Sequence, residues 1–140
     1  MRLVVISGLS GSGKTSALNI LEDVGFTCID NLPVSLLPNL ISKLSSEGHS
    51  EDTKLAVGID ARNLAGDLNQ IPATLRSIES RGTSVSVIFL HARQTDLIRR
   101  YSETRRKHPL STNTVSLKEA IILETDMLAP IANIADRTIE

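Results

Sequence analysis

One eight-residue segment constrains this chain more than any other. Residues 8–15 read Gly-Leu-Ser-Gly-Ser-Gly-Lys-Thr, which matches G-x-x-x-x-G-K-[ST], a phosphate-binding loop when it links a strand to a helix. Residues 2–7 are rich in β-branched side chains and end at Gly8, which predicts a buried strand before the loop. From Lys14, apolar residues recur at helical spacing up to Gly25, which predicts a helix after it. The motif therefore has the context that it requires.

The residues of this segment have predicted roles in holding nucleotide phosphates. Glycines allow the backbone conformations in which successive N–H groups converge on phosphate oxygens, and the helix N-terminus adds unpaired donors. Lys14 is expected to bridge the β- and γ-phosphates, and the Thr15 hydroxyl to ligate Mg²⁺. The alternative is a glycine-rich turn that caps a helix and binds nothing. The predicted ATP- or GTP-binding residues are Gly8, Leu9, Ser10, Gly11, Ser12, Gly13, Lys14 and Thr15.

Along the rest of the chain, apolar runs of strand length alternate with helical segments, the pattern of a parallel sheet with covering helices. Further strands are predicted at residues 27–30, 54–60, 85–90 and 135–140. Further helices are predicted from Pro33 through Leu44 and at residues 67–80, 94–107 and 116–129. We predict one α/β domain over residues 1–140, a P-loop NTPase-type parallel sheet flanked by helices on both faces, with a kinase-like strand order.

The composition excludes several function classes. Fifteen basic and sixteen acidic residues give a net charge of −1, so no whole-chain field attracts nucleic acid or an anionic membrane. Aromatic residues make up 2% of the chain, too few for the stacking platforms of single-strand binders. No apolar run reaches the about 18 residues of a membrane helix, and the single cysteine can form no internal disulfide. We expect a cytoplasmic protein without a membrane partner.

Two acids at strand ends are candidates for catalysis and metal binding. Asp60 ends the run 54–60, and ligands of parallel sheets lie beyond the carboxyl ends of the strands. Lys14 and Asp60 are therefore the predicted catalytic residues, and Thr15 and Asp60 the predicted Mg²⁺ ligands, directly or through water. Asp30 ends the second strand and competes as a general base or an acceptor-side ligand. For both acids the alternative is a residue that only caps a turn.

The helix predicted at residues 94–107 carries an arginine cluster. Members of the cluster lie on overlapping helix faces, which favours an anion clamp for a phosphoryl group or an RNA backbone. The alternative is a solvated face paired with Asp96 and Glu103. The cluster consists of Arg99, Arg100, Arg105 and Arg106.

The histidines and the cysteine carry less information. His49 is expected in a surface loop, and His91 sits at a strand end without a Cys or His neighbour at metal-ligand spacing. His108 lies beside the arginine cluster, where it either touches an anion or only ends the helix. Cys28 is predicted to be a small buried hydrophobic residue in the second strand.

Beyond the phosphate loop, three segments resemble the RapZ family of bacterial nucleotide-binding proteins, also called RNase adapter proteins. Residues 25–33 include Cys-Ile-Asp-Asn-Leu-Pro, residues 60–63 read Asp-Ala-Arg-Asn, and residues 97–110 include Leu-Ile-Arg-Arg-Tyr and Arg-Arg-Lys-His-Pro-Leu. Together with the phosphate loop these segments span nearly the whole chain, and the Asp-Asn-Leu-Pro and Arg-Arg-Lys-His-Pro-Leu segments are far rarer than that loop. The resemblance implies an ATP site at residues 8–15 and weak ATPase and GTPase activity. It also implies a GTP-associated element formed by Asp60, Ala61, Arg62 and Asn63.

Members of that family are longer, so we expect this chain to be the N-terminal part of a longer protein. The resemblance implies that the intact protein guides a ribonuclease to a small RNA. One departure is His91, where the family usually has an acid after the fourth strand. If that acid helps to position Mg²⁺, activity here is weaker, and Asp60 stays the better metal candidate. The oligomeric state and the preference for ATP or GTP are left open.

Two other functions fit the same residues. The order of strands and helices and the arginine-rich helix also suit a small-molecule or nucleoside-monophosphate kinase. The arginine patch alone suits an adaptor that binds RNA or protein and uses nucleotide only as a ligand, although the net negative charge weakens that interpretation.

Overall fold

Five parallel strands form one sheet in the order β2-β3-β1-β4-β5. The computed structural model describes residues 1–9, 11–46, 53–62, 65–104, 108–110 and 116–139. The predicted α/β fold class, with a parallel sheet and helices on both faces, is confirmed. The strands are β1 Arg2–Gly8, β2 Thr27–Ile29, β3 Lys54–Ile59, β4 Ser84–Leu90 and β5 Arg137–Ile139.

The helices follow the predicted segments with three differences, one of which is that the last helix, predicted to end at residue 129, continues to Ala132. The helix expected over residues 67–80 is two helices, because Pro72 lies in the first turn of the second one and has no N–H with which to continue the first. After Pro33 the chain first makes a 3-10 turn, Val34–Leu36, before the α-helix begins. The helices are α1 Lys14–Asp23, α2 Leu37–Ser46, α3 Ala65–Asn69, α4 Ile71–Ser80, α5 Gln94–Thr104 and α6 Leu117–Ala132.

The predicted start of α6 is confirmed by its cap. The Ser116 hydroxyl accepts the backbone N–H of Glu119 at 3.2 Å, as expected of an N-cap serine. The predicted C-terminal part of α5 reaches residues 105–107, which lie outside the described residues. Among the described helices, none has the length and the apolar character needed to cross a bilayer.

Two hydrophobic cores lie on opposite faces of the sheet. The side chains of alternate residues of β1 pack on opposite faces. Leu3 and Val5 belong to the larger core, and Val4 and Ile6 belong to the smaller one. This explains why β1 reads as a continuous apolar run and not as an alternating one. The larger core includes side chains of α2, α4 and α6, and the smaller one consists of the buried residues Val4, Ile6, Leu18, Phe26, Ala56 and Leu90.

All strand carboxyl ends meet at one edge of the sheet because the strands are parallel. The glycine-rich segment leaves β1, the central strand, between β3 and β4. On the β4 side, Leu9 N–H donates to the carbonyl of Leu90 at 3.3 Å. On the other side, β2 and β3 end at Ile29 and Ile59, so that Asp30 and Asp60 directly follow them. The fold thereby brings the loop and both acids to the same edge.

Candidate phosphate-binding site

The segment between β1 and α1 has the backbone of a phosphate-binding loop. Gly11 and Gly13 have φ angles of 89° and 102°, a region that favours glycine. A Cβ atom on Gly8 would lie 2.5 Å from the Leu90 carbonyl oxygen and 2.8 Å from Ser12 Oγ, so the loop folds too closely for any side chain there. A hydrogen bond from Ser12 N–H to the Leu9 carbonyl, 2.9 Å long, closes the turn.

No side chain among the described residues caps the start of α1. Gly13 is the N-cap residue of this helix. The hydroxyl oxygen of Ser12 is buried without a hydrogen-bond partner among the described residues. Exposed N-terminal amides, a positive helix end and an unpartnered hydroxyl are the features that an anion would satisfy. Ser10, also predicted to contribute a backbone donor, lies outside the described residues.

The ammonium group of Lys14 contacts both strand-end carboxylates. Its Nζ donates to Asp30 Oδ1 in a short contact and lies 3.4 Å from Asp60 Oδ2. The Lys14 side chain is 13% exposed, whereas that of Asp30 is 42% exposed. The structure therefore brings together Lys14 and both acids, and it places Asp30 on the solvent side of the pair.

A glycine of β3 makes room for Asp30. A Cβ atom on Gly58 would lie 2.4 Å from Asp30 Oδ1 and 3.2 Å from Leu18 Cδ1. The carbonyl of Gly58 also accepts the N–H of Leu32 at 3.0 Å, which ties down the chain after β2. Asn31, in between, has a φ of 55° and donates its N–H to Asp30 Oδ1 at 2.7 Å. Gly58 thus sets the position of the carboxylate that holds Lys14.

Asp60 is held by Arg62. Its Oδ1 accepts the backbone N–H of Arg62 at 2.9 Å. The guanidinium of Arg62 donates through Nε to both carboxylate oxygens at 3.1 Å and through Nη2 to Oδ2 at 2.5 Å. Burial alone would raise the pKa of the Asp60 carboxyl, but these hydrogen bonds and the charges of Lys14 and Arg62 outweigh burial and lower it. The hydrogen bond to Asp60 in turn raises the pKa of Arg62. Asp60 is therefore a stably ionised carboxylate.

Of the predicted GTP-associated element, three residues are described. Ala61 is buried, Arg62 covers Asp60, and Asn63 lies outside the described residues. Thr15 is exposed at the first turn of α1, so its hydroxyl is accessible to a ligand. Within the described ranges no group of three or more His, Cys, Asp or Glu side chains is arranged to hold a metal ion.

The arginine cluster divides between two environments. Arg99 pairs with Asp96 at 3.1 Å and is 68% exposed, which agrees with the paired, solvated face that the sequence left as the alternative. Arg100 instead donates through Nη1 to the carbonyl of Gly11 in the loop. The other two members, Arg105 and Arg106, lie outside the described residues.

The structure assigns His108 a place that neither sequence interpretation foresaw. Its ring is fully buried beside the equally buried Glu124 of α6, with 3.1 Å between Nε2 and Oε1. His91 is exposed and donates its backbone N–H to the Ile139 carbonyl at 2.7 Å. Cys28 is partly buried and donates its thiol to the Leu18 carbonyl at 3.2 Å.

Sequence reasoning missed Gly58, Tyr101 and Glu124 as contributors to the site. A signal for Glu124 existed, because it occupies a core position of α6 between the buried Ala120 and Leu128. A charged residue in such a position is rarely buried without a partner. Gly58 and Tyr101 carry no comparable signal in a single sequence.

The sequence model of the RapZ-like N-terminal domain matches residues 1–140. A protein of Saccharophagus degradans named nucleotide-binding protein is 52% identical over 140 residues, all of this chain and 48% of its own length. A protein of the same name from Cellvibrio japonicus is 52% identical over 141 residues, 47% of its length. The chain therefore spans about half the length of these curated relatives.

Two solved structures share the fold. Shikimate kinase from Bacteroides thetaiotaomicron has a TM-score of 0.56 at 16% identity, over 98% of this chain and 85% of the kinase. The YorR protein of Bacillus subtilis, solved in complex with phosphorylated GDP, has a TM-score of 0.58 at 17% identity, over 97% of this chain and 82% of YorR. The fold of the chain is accordingly that of a P-loop kinase, as its predicted strand order implied.

The contact between Gly58 and Asp30 yields a test by double-mutant cycle. Gly58→Ala should lower the free energy of unfolding by about 1–3 kcal/mol, the usual cost of overpacking. In an Asp30→Ala background the same change should cost at least about 1 kcal/mol less, because the closest atom is gone. Urea unfolding of the four proteins measures both values. An equal cost in the two backgrounds would assign the strain to Leu18 instead.

The lowered pKa of Asp60 predicts how stability depends on pH. A carboxyl whose pKa is lower in the folded state contributes stability above its unfolded pKa, around 4, and loses that contribution as the pH falls through the folded value. The free energy of unfolding of the wild type should exceed that of Asp60→Asn by a constant amount above about pH 5. The difference should shrink below about pH 4. Urea titrations from neutral to acid pH measure this, and a difference independent of pH would refute the assignment.

Proposed function

The chain belongs to the family of RapZ-like N-terminal domains, and on that premise we propose that it binds ATP or GTP with Mg²⁺ and hydrolyses the nucleotide slowly. This membership confirms the resemblance that its motifs indicated. The observation that carries the proposal is the set of donors around the loop. The start of α1 has no side-chain cap and the Ser12 hydroxyl has no hydrogen-bond partner among the described residues, while the Lys14 ammonium pairs with the carboxylates of Asp30 and Asp60.

When the nucleotide binds, the Lys14 ammonium would leave Asp30 and pair with the phosphates of the ligand. The exposure and the charge of Asp30 support this exchange. Its carboxylate is 42% exposed and carries one negative charge, whereas a triphosphate presents several negative charges to the same ammonium. Asp60, at 7% exposure and with Arg62 bound to it, would remain in place. Asp30 would then be free to orient the attacking water or to accept its proton. Lys14 and Asp60 keep the catalytic roles predicted for them.

The side chains available fit Mg²⁺, which prefers oxygen ligands. Thr15 offers an exposed hydroxyl and Asp60 a stably charged carboxylate. Both oxygens of Asp60 already accept from Arg62, so we place Asp60 in contact with the ion through water. The bound ion would neutralise charge on the phosphates.

For a longer protein that contains this chain, the proposal includes contact with a small RNA and a ribonuclease in the cytoplasm. Support comes from the exposed guanidinium groups of Arg93, just before α5, and of Arg99, on α5. Both share Asp96 as a partner, so this part of the helix keeps a positive charge for a phosphate backbone.

A kinase is the second candidate function, and the position of Asp30 favours it. An exposed carboxylate in contact with Lys14 lies where the hydroxyl of a second substrate would approach the γ-phosphate. The reaction would transfer the γ-phosphoryl group to that hydroxyl oxygen, with its proton passing to Asp30 and the nucleoside diphosphate leaving.

Lys14→Ala should weaken binding of Mg²⁺-ATP and Mg²⁺-GTP by roughly 10- to 100-fold, since hydrogen bonds to a charged group contribute about 1.5–3 kcal/mol. Isothermal titration calorimetry measures the dissociation constants. The matched control is Lys54→Ala, which removes an exposed lysine at the start of β3, the opposite edge of the sheet. Absence of saturable binding in the wild type, or equal binding by Lys14→Ala, would refute the proposal.

Acceptor trials separate the kinase from the hydrolase. If the chain is a kinase, some hydroxyl-bearing small molecule or nucleoside monophosphate should raise nucleoside diphosphate release well above the rate with water alone. Asp30→Asn should abolish this stimulation while leaving the nucleotide dissociation constant within about threefold, because an acceptor-side base adds little to ground-state binding. A panel that gives no stimulation excludes the acceptors tested and leaves slow hydrolysis as the activity.

A further inference from the structure

Helix α5 packs against the tip of the phosphate loop. If Gly11 carried a Cβ atom, that atom would lie 3.3 Å from the ring carbon Cε2 of Tyr101 and 3.5 Å from Cδ2 of Leu97. Arg100, on the same helix, donates to the Gly11 carbonyl. Three neighbouring side chains of α5 therefore surround one glycine of the loop.

The position of Tyr101 depends on a buried residue beyond the end of α5. The rings of Tyr101 and His108 have centroids 5.3 Å apart and are tilted by 46°. His108 accepts the backbone N–H of Leu110 at Nδ1, 3.0 Å away. That bond leaves Nε2 as the donor to Glu124 Oε1, at 3.1 Å. Both ring nitrogens are thus engaged and the orientation of the ring is determined.

Burial of His108 and Glu124 costs hydration free energy, and a gain in stability does not explain why the pair is buried. The side chains of His108 and Glu124 are both 0% exposed, and Glu124 lies between apolar core residues of α6. A buried polar pair stabilises the fold only where its hydrogen bonds offset the lost hydration of both groups. The hydrogen bonds of the pair fix the orientation of the His108 ring. A ring fixed in this way can hold Tyr101 in one position, where an apolar contact would allow several positions.

We propose that His108 and Glu124 are positioning residues for the phosphate loop. They hold Tyr101, Tyr101 holds the tip of the loop at Gly11, and the loop is therefore shaped before nucleotide arrives. Preformed sites bind more tightly because less ordering is required on binding. The proposal gives a role to the His-Pro-Leu segment at residues 108–110. Its effect on affinity rests on the nucleotide binding proposed above.

Two pairs of variants test the chain of contacts. Tyr101→Ala removes the ring and Tyr101→Phe keeps it. Glu124→Leu removes the acceptor of the His108 hydrogen bond, whereas Glu124→Gln keeps an oxygen there. We expect the first member of each pair to raise the dissociation constant of Mg²⁺-ATP or Mg²⁺-GTP about tenfold, and the conservative member to stay within about twofold. Amide hydrogen exchange at Gly11 and Gly13 in the ligand-free protein should become faster only in the first members.

Leu128→Ala is the matched control for loss of stability. Leu128 is also fully buried on α6, so this variant should lower the urea midpoint while leaving the dissociation constant and the exchange of the loop amides unchanged. If Leu128→Ala changes them as much as Tyr101→Ala does, or if Tyr101→Ala behaves as wild type, the positioning role is refuted. Tyr101 is only partly buried, so Tyr101→Ala decides the question even if Glu124→Leu does not fold. The exchange experiment needs no ligand, so a wild type that binds no nucleotide refutes the proposed function and not the positioning.

Discussion

The site depends on the contact of one ammonium group, that of Lys14, with two carboxylates from neighbouring strands. Asp30 and Asp60 follow β2 and β3, and the parallel arrangement of the sheet brings these two strand ends beside the start of α1. Without the lysine, two negative charges would face each other at the carboxyl edge. With it, and with Arg62 on Asp60, the cluster is close to neutral before any ligand binds.

The two acids differ in how firmly they are held, and this difference organises the chemistry. Asp60 is buried and takes hydrogen bonds from the backbone and side chain of Arg62. Asp30 is half-exposed and depends on the space left by Gly58. An anion entering the loop would therefore separate Lys14 from Asp30 more readily than from Asp60. Asp60 would keep its place, while Asp30 would become available to a reacting group. This step is common to the hydrolase and the kinase mechanisms.

Much of this could be predicted from the sequence because the relevant patterns are local. The phosphate loop is a contiguous motif, and Asp60 stands out because it ends an apolar run of strand length. One helix was predicted over residues 67–80, whereas the structure divides residues 65–80 into two helices. The burial of His108 beside Glu124 was not foreseen, because Glu124 lies 16 residues further along the chain, on α6. Pairings at that distance depend on how helices pack, and one sequence does not encode them visibly.

The sequence by itself determined the order of strands and helices, the covering of both sheet faces and the place of the glycine-rich loop between β1 and α1. Each of these follows from periodicity or from spacing within a few residues, which backbone geometry converts directly into structure. Only the tertiary structure decided that Lys14 lies between Asp30 and Asp60, that Gly58 leaves room for one of them, and that α5 packs on Gly11. These contacts join residues that are far apart in the chain, and they exist because parallel strands end at a common edge and helices pack across it.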